Sequence, residues 1–451
     1  VVLQVFYTSL YRSAFSTVNK IHWVDEELRK TPLEFKFVAI AHATKPRGKP
    51  LNPKILSLLV LLLSITSATT LPFDVARAQN SVSIAFRGLS ACGATLANAK
   101  TQRALTAPPG KKSFDLTRLK TLSIMSHNFA YILELPSSDG SSSSGILMRP
   151  KASYKADWQA RTILKSAPAI LVGQEIENFE NMNDFSNRKL GGLYESFLTH
   201  GNDRYKDVGL FADKRYPFFV ESRSFAHLQW NDPSRNNAAR PLFNRDAPAH
   251  IFRLMPLSQP FLIVIGVHSK SKHSKNSDGS DAESLRRLQH TQIAEIAKDF
   301  QKEFGERVPI VIAGDFNSSS PKSLDLTPIN DLGFKDVLEI TNTPLQRRVT
   351  GTYHPFHKEV IDDKEVIVQE ETVYEQPDMI FVSPSAQHLV KSARVVHFED
   401  SKGRPLPPPD TYFERQKRPS DHIPIEVVLD FQGLVELSNA IKGKKGKRNR
   451  L

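Results

Sequence analysis

Six short apolar runs of this sequence end or begin on side chains able to hold a metal ion, move a proton or donate to a phosphate. Ile124-Met125-Ser126-His127 leads to Asn128, and Ile170–Gly173 leads to Gln174-Glu175. Phe261–Val267 runs into His268-Ser269-Lys270-Ser271, and Ile310–Ala313 into Gly314-Asp315-Phe316-Asn317. Asp378 opens the run Met379–Val382, and Ser420-Asp421-His422 opens the last one. Each residue alone is an ordinary turn or cap residue. Together they make four carboxylates, two asparagines and two histidines. Hard oxygen donors of this kind suit Mg²⁺, with Mn²⁺ or Ca²⁺ as alternatives. Zinc fits poorly, because the chain has one cysteine, Cys92, and no HExxH or CxxC spacing. The histidines are then left for proton transfer or for donation to phosphate oxygens.

Gathering such groups requires elements that end on one edge. The runs Ile124–Phe129, Ile170–Gln174, Val208–Phe211, Phe261–Val267, Ile310–Ala313, Met379–Val382 and Ile423–Leu429 read as strands. From Ala282 to Phe300, residues Leu285, Leu288, Ile293, Ile296, Ala297 and Phe300 lie near helical spacing. Strands alternating with helices imply a layered α/β or α+β fold with buried sheets. Gly140–Ser144, Asn276–Asp281 and Lys402–Pro409 read as loops, and none is long enough for a domain linker.

The order Asn128, Gln174-Glu175, His268, Gly314-Asp315-Phe316-Asn317, Asp378 and Ser420-Asp421-His422 resembles the endonuclease/exonuclease/phosphatase superfamily, the DNase I-like enzymes, over about residues 115–430. The resemblance implies an α+β four-layer sandwich, two packed β-sheets flanked by helices. It also implies roles. Glu175 would hold the metal with Asn128 nearby, and Asp421 would complete the metal or water network. Asp315 and Asn317 would position the attacking water and the scissile phosphate. Asp378 would fix the tautomer of His422, and His268 would be a second imidazole at the phosphate. The stretch Gly201–Val208 is similar to bacterial members; there Asp203 could orient His268, and Arg204 could reach a phosphate. Lys270 and Lys272, with His273 and Lys275, form a basic loop beside the expected site, and Tyr353 is a further candidate on the phosphate side. Arg286 and Gln289 match a common R-x-x-Q pattern that reads as structural.

The expected reaction is in-line attack of water on a phosphodiester, with nucleic acid, DNA or RNA, as the substrate. Lipid head groups, as in sphingomyelinases, are the runner-up. An inactive polyanion-binding relative is a third possibility. The inositol-phosphatase pattern is not met: no tryptophan precedes Gly314-Asp315, no arginine follows Asn317, and Pro377 rather than cysteine precedes Asp378. Gly351-Thr352-Tyr353-His354 stands where abasic-site endonucleases carry a tryptophan-rich segment.

The net charge of +12 would suggest a polyanionic partner by itself. Its distribution says otherwise. Residues 1–112 carry 15 Lys+Arg against 5 Asp+Glu, and 437–451 carry 6 and none. The span between holds 39 against 43, so the likely core is slightly acidic. Ile55–Ala68 is an uncharged apolar run preceded by Lys45, Arg47, Lys49 and Lys54, and Ala76-Arg77-Ala78 follows. That pattern fits a secretory signal at 51–78. It points to a secreted or periplasmic bacterial protein, with no transmembrane anchor in the mature chain and lipoprotein attachment at Cys92 the lesser option. Residues 1–50 read as a doubtful extension, 79–112 as a linker, 113–436 as the catalytic domain and 437–451 as a basic disordered tail.

Overall fold

The apolar runs become strands because they are covered on both faces, which removes the need for polar alternation. The structure, a computed structural model, describes residues 118–136, 147–203, 205–232, 236–272, 282–361 and 364–448. All of them lie in one compact unit, Ala99–Leu451. The extension, the signal-like segment, the linker, Cys92, Arg204, His273, Lys275, the loops at 140–144 and 276–281, and the last three residues lie outside the described residues.

Two six-stranded sheets form the centre. The first consists of β1 (Thr121–Asn128), β2 (Ile170–Ile176), β3 (Tyr194–Leu198), β4 (Asp207–Asp213), β11 (Val390–Val395) and β12 (Ile425–Asp430), in the order β11-β12-β1-β2-β4-β3. The second consists of β5 (Phe219–Arg223), β6 (Ala249–Arg253), β7 (Leu262–His268), β8 (Ile310–Asp315), β9 (Lys335–Asp336) and β10 (Asp378–Val382), in the order β9-β10-β8-β7-β6-β5.

Side-chain alternation assigns the layers. In β1, Leu122 and Ile124 face the second sheet with Ile170 and Val172 of β2, and meet Val264, Val311, Ala313 and Ile380 there. The intervening Met125 and Leu171 face outward, onto Ala156, Ala160 and Ile163 of helix α1 (Ser153–Ser166). Likewise Ile263, Ile265, Ile310 and Ile312 face outward onto Ile293, Ala297 and Phe300 of helix α2 (Ala282–Phe304). The architecture is therefore helix, sheet, sheet, helix, an α+β sandwich of four layers. Each fully buried aliphatic side chain of this core contributes roughly 1.5–3 kcal/mol.

Helix α2 extends past the expected Phe300, to Phe304. Leu288, counted in its apolar stripe, is exposed, and Arg286, Gln289 and His290 are buried instead. A short helix, α3, covers Tyr412–Lys417. The stretch read as a disordered tail starts as helix: α4 runs Phe431–Arg448. Ser438 and Ile441 are buried, and Ile441 joins the core beneath α2, so the folded domain reaches beyond 436. Residues 442–451 have no apolar period and so carry no helical signal, whereas Leu434 and Ile441 before them supply the anchoring contacts. Among the described residues no helix is long and apolar enough to cross a membrane.

Candidate active site

Two parallel pairs fix where the chemistry collects. β1 pairs parallel with β2, and β7 parallel with β8, with α1 and α2 as the respective crossovers. Parallel neighbours end on the same edge, so Asn128 lies beside Gln174 and His268 beside Asp315. The antiparallel neighbours start on that edge. Asp378 is the register partner of Asp315, and β12 begins opposite Ser126 with His422 just before it. One edge of the sandwich thus receives side chains from both sheets.

Asp315 is at the centre. Its Oδ2 accepts from the side-chain amides of Asn128 and Asn317, each at 3.1 Å, and its Oδ1 accepts from the backbone N–H of Asn317 at 2.8 Å. The imidazole Nε2 atoms of His268 and His422 face the same Oδ2 at 3.6 Å and 3.9 Å. Asn317 sits at φ +53, a left-handed conformation that asparagine tolerates, and this folds its amide back onto Asp315 and the Ser269 carbonyl. Gly314 lies against Val267: a Cβ built on it would stand 1.9 Å from the Val267 carbonyl oxygen.

His422 Nδ1 lies 2.7 Å from Asp378 Oδ2. Burial disfavours the charged ring, but the carboxylates of Asp378 and Asp315 outweigh it and hold the His422 pKa well above its ordinary value. Burial pushes Asp315 up to about 6, against the pull of His422, and raises Asp378 as well. His268 moves the other way: burial, then the positive charges of Arg245, Lys206 and His422, keep its imidazole neutral. The site therefore pairs one cationic and one neutral histidine around a buried acid.

Glu175 reaches the site through a break in its strand. The register of β2 with β4 shifts between Gly173 and Ile176, and Glu175 adopts φ +58. Such a bulge re-aims a side chain. The Glu175 carboxylate lies 3.8 Å from His268 Nε2 and accepts from Lys206 Nζ at 2.8 Å.

Buried hydrogen bonds behind the site tie α2 to the loops that carry His268 and Asn317. Arg286 Nε donates to Asp325 Oδ2 at 2.6 Å, and Ser318 Oγ donates to the same oxygen at 2.7 Å. His290 links Ser269 Oγ at 2.9 Å to the Asp325 carbonyl at 3.0 Å. Gln289 accepts from the Lys270 N–H and donates to the Leu242 carbonyl. The R-x-x-Q pattern thus holds two loops of the site in place.

Several expected residues are engaged elsewhere. Asp203 makes no hydrogen bond to His268; its carboxylate turns toward Arg245 at 4.0 Å, and His268 Nδ1 is buried without a partner. Asp421 is taken by Arg415 of α3, and among the described residues no hydrogen bond or ion pair joins it to Glu175 or Asn128. Burial opposes its charge, yet His422 and Arg415 hold its pKa well below the usual carboxylate range. Lys272 is paired with Glu375 and donates to Ser319 Oγ at 3.1 Å. Lys270 enters the network above through its backbone. Tyr353 ends the short strand Gly351–Tyr353, whose Gly351 bridges to His422.

Two cations at the site escaped the sequence reading. Lys206 precedes a strand whose first residue, Asp207, is the register partner of Ile176, and this pairing, set by the fold, brings it beside the end of β2. Arg245 arrives from a loop and donates to the Ser269 carbonyl at 3.0 Å; nothing in its sequence context marks it.

The donor chemistry fits a hard divalent cation at Glu175. Its carboxylate and that of Asp315 converge on the same imidazole, with the Asn128 amide adjacent. Asp315, Asp378 and His422 also have potential ligand atoms within 4.8 Å of one another, but His422 and Asp378 are committed to each other by their hydrogen bond.

No family model matches the chain, and no curated protein does. Solved structures do. An endonuclease/exonuclease/phosphatase from Bacteroides vulgatus is 18% identical, with 69% of this chain and 99% of that one covered at a TM-score of 0.42. TDP2 of D. rerio, solved in complex with a single-strand DNA product, is 17% identical over 69% of this chain and 99% of that one, at 0.42. A truncated TDP2 of Caenorhabditis elegans is 14% identical over 69% and 97%, at 0.41. At these scores the likenesses carry nothing about chemistry, which rests on the geometry alone.

Proposed function

We propose that the chain is a divalent-metal-dependent phosphodiester hydrolase of the endonuclease/exonuclease/phosphatase superfamily, exported from a bacterial cell, with nucleic acid as its substrate. The observation that carries the hydrolase reading is the convergence on Asp315 of two amides and two imidazoles from both sheets. Asn128 and Asn317 orient the Asp315 carboxylate, which takes the proton of the attacking water. His422, held by Asp378 with its Nε2 toward the same place, donates to a phosphoryl oxygen as charge develops there. Neutral His268 donates from Nε2 between Asp315 and Glu175. A divalent ion at Glu175 would supply charge neutralisation at the phosphate.

Exposed Tyr374, Tyr412 and Phe413, with the exposed Lys417 of α3, support a nucleic-acid substrate: aromatic faces stack bases and a cation meets the backbone. One observation favours a lipid head group instead. The hairpin Phe356–Ile361 and Lys364–Gln369, outside both sheets, leaves Phe356 and Val360 exposed. Purified protein with Mg²⁺ or Mn²⁺ is to be tested on plasmid DNA, RNA, sphingomyelin and a chromogenic phosphodiester. Nicking of plasmid that is lost in His422→Ala supports the nuclease. Cleavage of sphingomyelin alone supports the lipid reading, and cleavage of none leaves a polyanion-binding relative.

A further inference from the structure

Glu175 is aimed by its own backbone. The bulge and the left-handed φ +58 set the direction in which its side chain leaves the backbone, toward the site. Yet the carboxylate already meets a positive charge. Lys206 Nζ lies 2.8 Å from Glu175 Oε1, and its ammonium stands 5.0 Å from the centre of the Tyr131 ring. Lys206 comes from the segment entering β4, on the other side of the bulge, so the two charges approach from separate elements.

We infer that Lys206 is a built-in counter-cation that competes with a divalent metal ion for Glu175. The inference rests on the reading that Glu175 holds the metal. A 2+ ion placed on that carboxylate would share a few ångströms with the ammonium, and Arg245 stands nearby as another positive charge in the same neighbourhood. The ammonium is the movable partner. Lys206 has a flexible four-carbon stem and a side chain that is 26% exposed, so it has a way out toward solvent, whereas the Glu175 side chain is 15% exposed and leaves a backbone set by the bulge. Metal entry therefore requires Lys206 to leave, and metal affinity carries the cost of that exchange.

The test measures Mn²⁺ binding without substrate, by electron paramagnetic resonance of free Mn²⁺, on the full chain and on Lys206→Met, Lys206→Arg and Glu175→Gln. Lys206→Met is expected to bind Mn²⁺ about tenfold tighter than the parent, because removing the local positive charge removes the competitor. Lys206→Arg keeps the cation and should bind within about twofold of the parent. Glu175→Gln should lose the binding. Lys206→Gln serves as a second neutral variant, and the circular dichroism melt of each shows that it is folded. Equal or weaker Mn²⁺ binding by both neutral variants overturns the competition while leaving the metal at Glu175. If no protein binds Mn²⁺, or Glu175→Gln binds as the parent does, the metal assignment itself fails and the competition with it.

Discussion

Asp315 and Asp378 face each other on one rung of the antiparallel pair β8–β10, one ending its strand and the other starting it. Both are buried, and two like charges so placed would repel. His422 resolves this by standing between them, with Nδ1 on Asp378 and Nε2 toward Asp315.

Asp378→Asn removes the charge behind His422. Turnover should fall by about 10²–10⁴-fold, the range for a lost acid–base contribution. The sign of the pH effect follows from the raised pKa of His422. Catalysis that needs the protonated ring is lost as pH rises through that pKa, so lowering it moves the alkaline limb of the pH–rate profile to lower pH. The same raised pKa contributes stability that is fully present below the unfolded value near 6.5 and lost as pH rises through the folded value. Rate profiles, with NMR titration of the His422 ring, check both; an unmoved alkaline limb would show that His422 is not the donor.

Gly314→Ala tests the close approach of β8 to Val267. The new methyl would overlap the Val267 carbonyl, so the strands must part at the rung next to the one that carries His268 and Asp315. A loss of about 3 kcal/mol or more is expected, read by chemical denaturation, together with loss of activity. Parental stability would contradict the contact.

Asp325→Asn leaves the buried Arg286 without a countercharge and weakens the acceptor for Ser318. Breaking such a pair costs about 3–5 kcal/mol. Because Asp325 touches the loops and not the reacting groups, turnover should fall while Mn²⁺ affinity stays as in the parent. A variant that loses metal binding to the same extent would place Asp325 differently.

Asp336 caps the short helix Val337–Ile340 by accepting the Leu338 N–H at 3.0 Å, far from this chemistry. Burial, against the pull of the Gln376 amide and the Leu338 N–H, pushes its pKa up to about 6 from 3.8. The folded state then holds a proton that the unfolded chain releases, so stability falls as pH rises from 3.8 toward 6. Asn keeps the capping oxygen but cannot ionise. The difference in melting temperature between parent and Asp336→Asn should shift by about 2–5 °C in favour of the variant between pH 4 and pH 7. A constant difference would mean that Asp336 stays ionised throughout.

The central strands were legible because burial on both faces writes itself as an unbroken apolar run, as in Ile310–Ala313 and Met379–Val382. β3, β5, β6, β9 and β11 were not: β3, β5 and β11 are half-covered edge strands, β9 has two residues, and β6, though buried inside its sheet, is interrupted by His250 and ends on Arg253. Helix α1 was missed because it docks through Ala156, Ala160 and Ile163, small residues that make a faint stripe. At the site, strand ends announced Asn128, Glu175, His268, Asp315, Asp378 and His422 as candidates. Lys206 could not join them, because the β2–β4 register that places it is set by the fold. Asp421 and Lys272 could not be placed by sequence, since their partners, Arg415 and Glu375, lie on segments whose positions only the fold sets.

The edge where the two sheets meet has a consequence for how the protein can fail. Asn128 and Glu175 belong to one sheet, which His422 leads into just ahead of β12, and His268, Asp315 and Asp378 belong to the other, so neither sheet owns a working set. Any event that lets the layers slide or part, even with every strand and helix intact, dismantles the chemistry first. On the proposed function, hydrolysis would be a sensor of the seam between the sheets, and during heating it should vanish before the helical signal does.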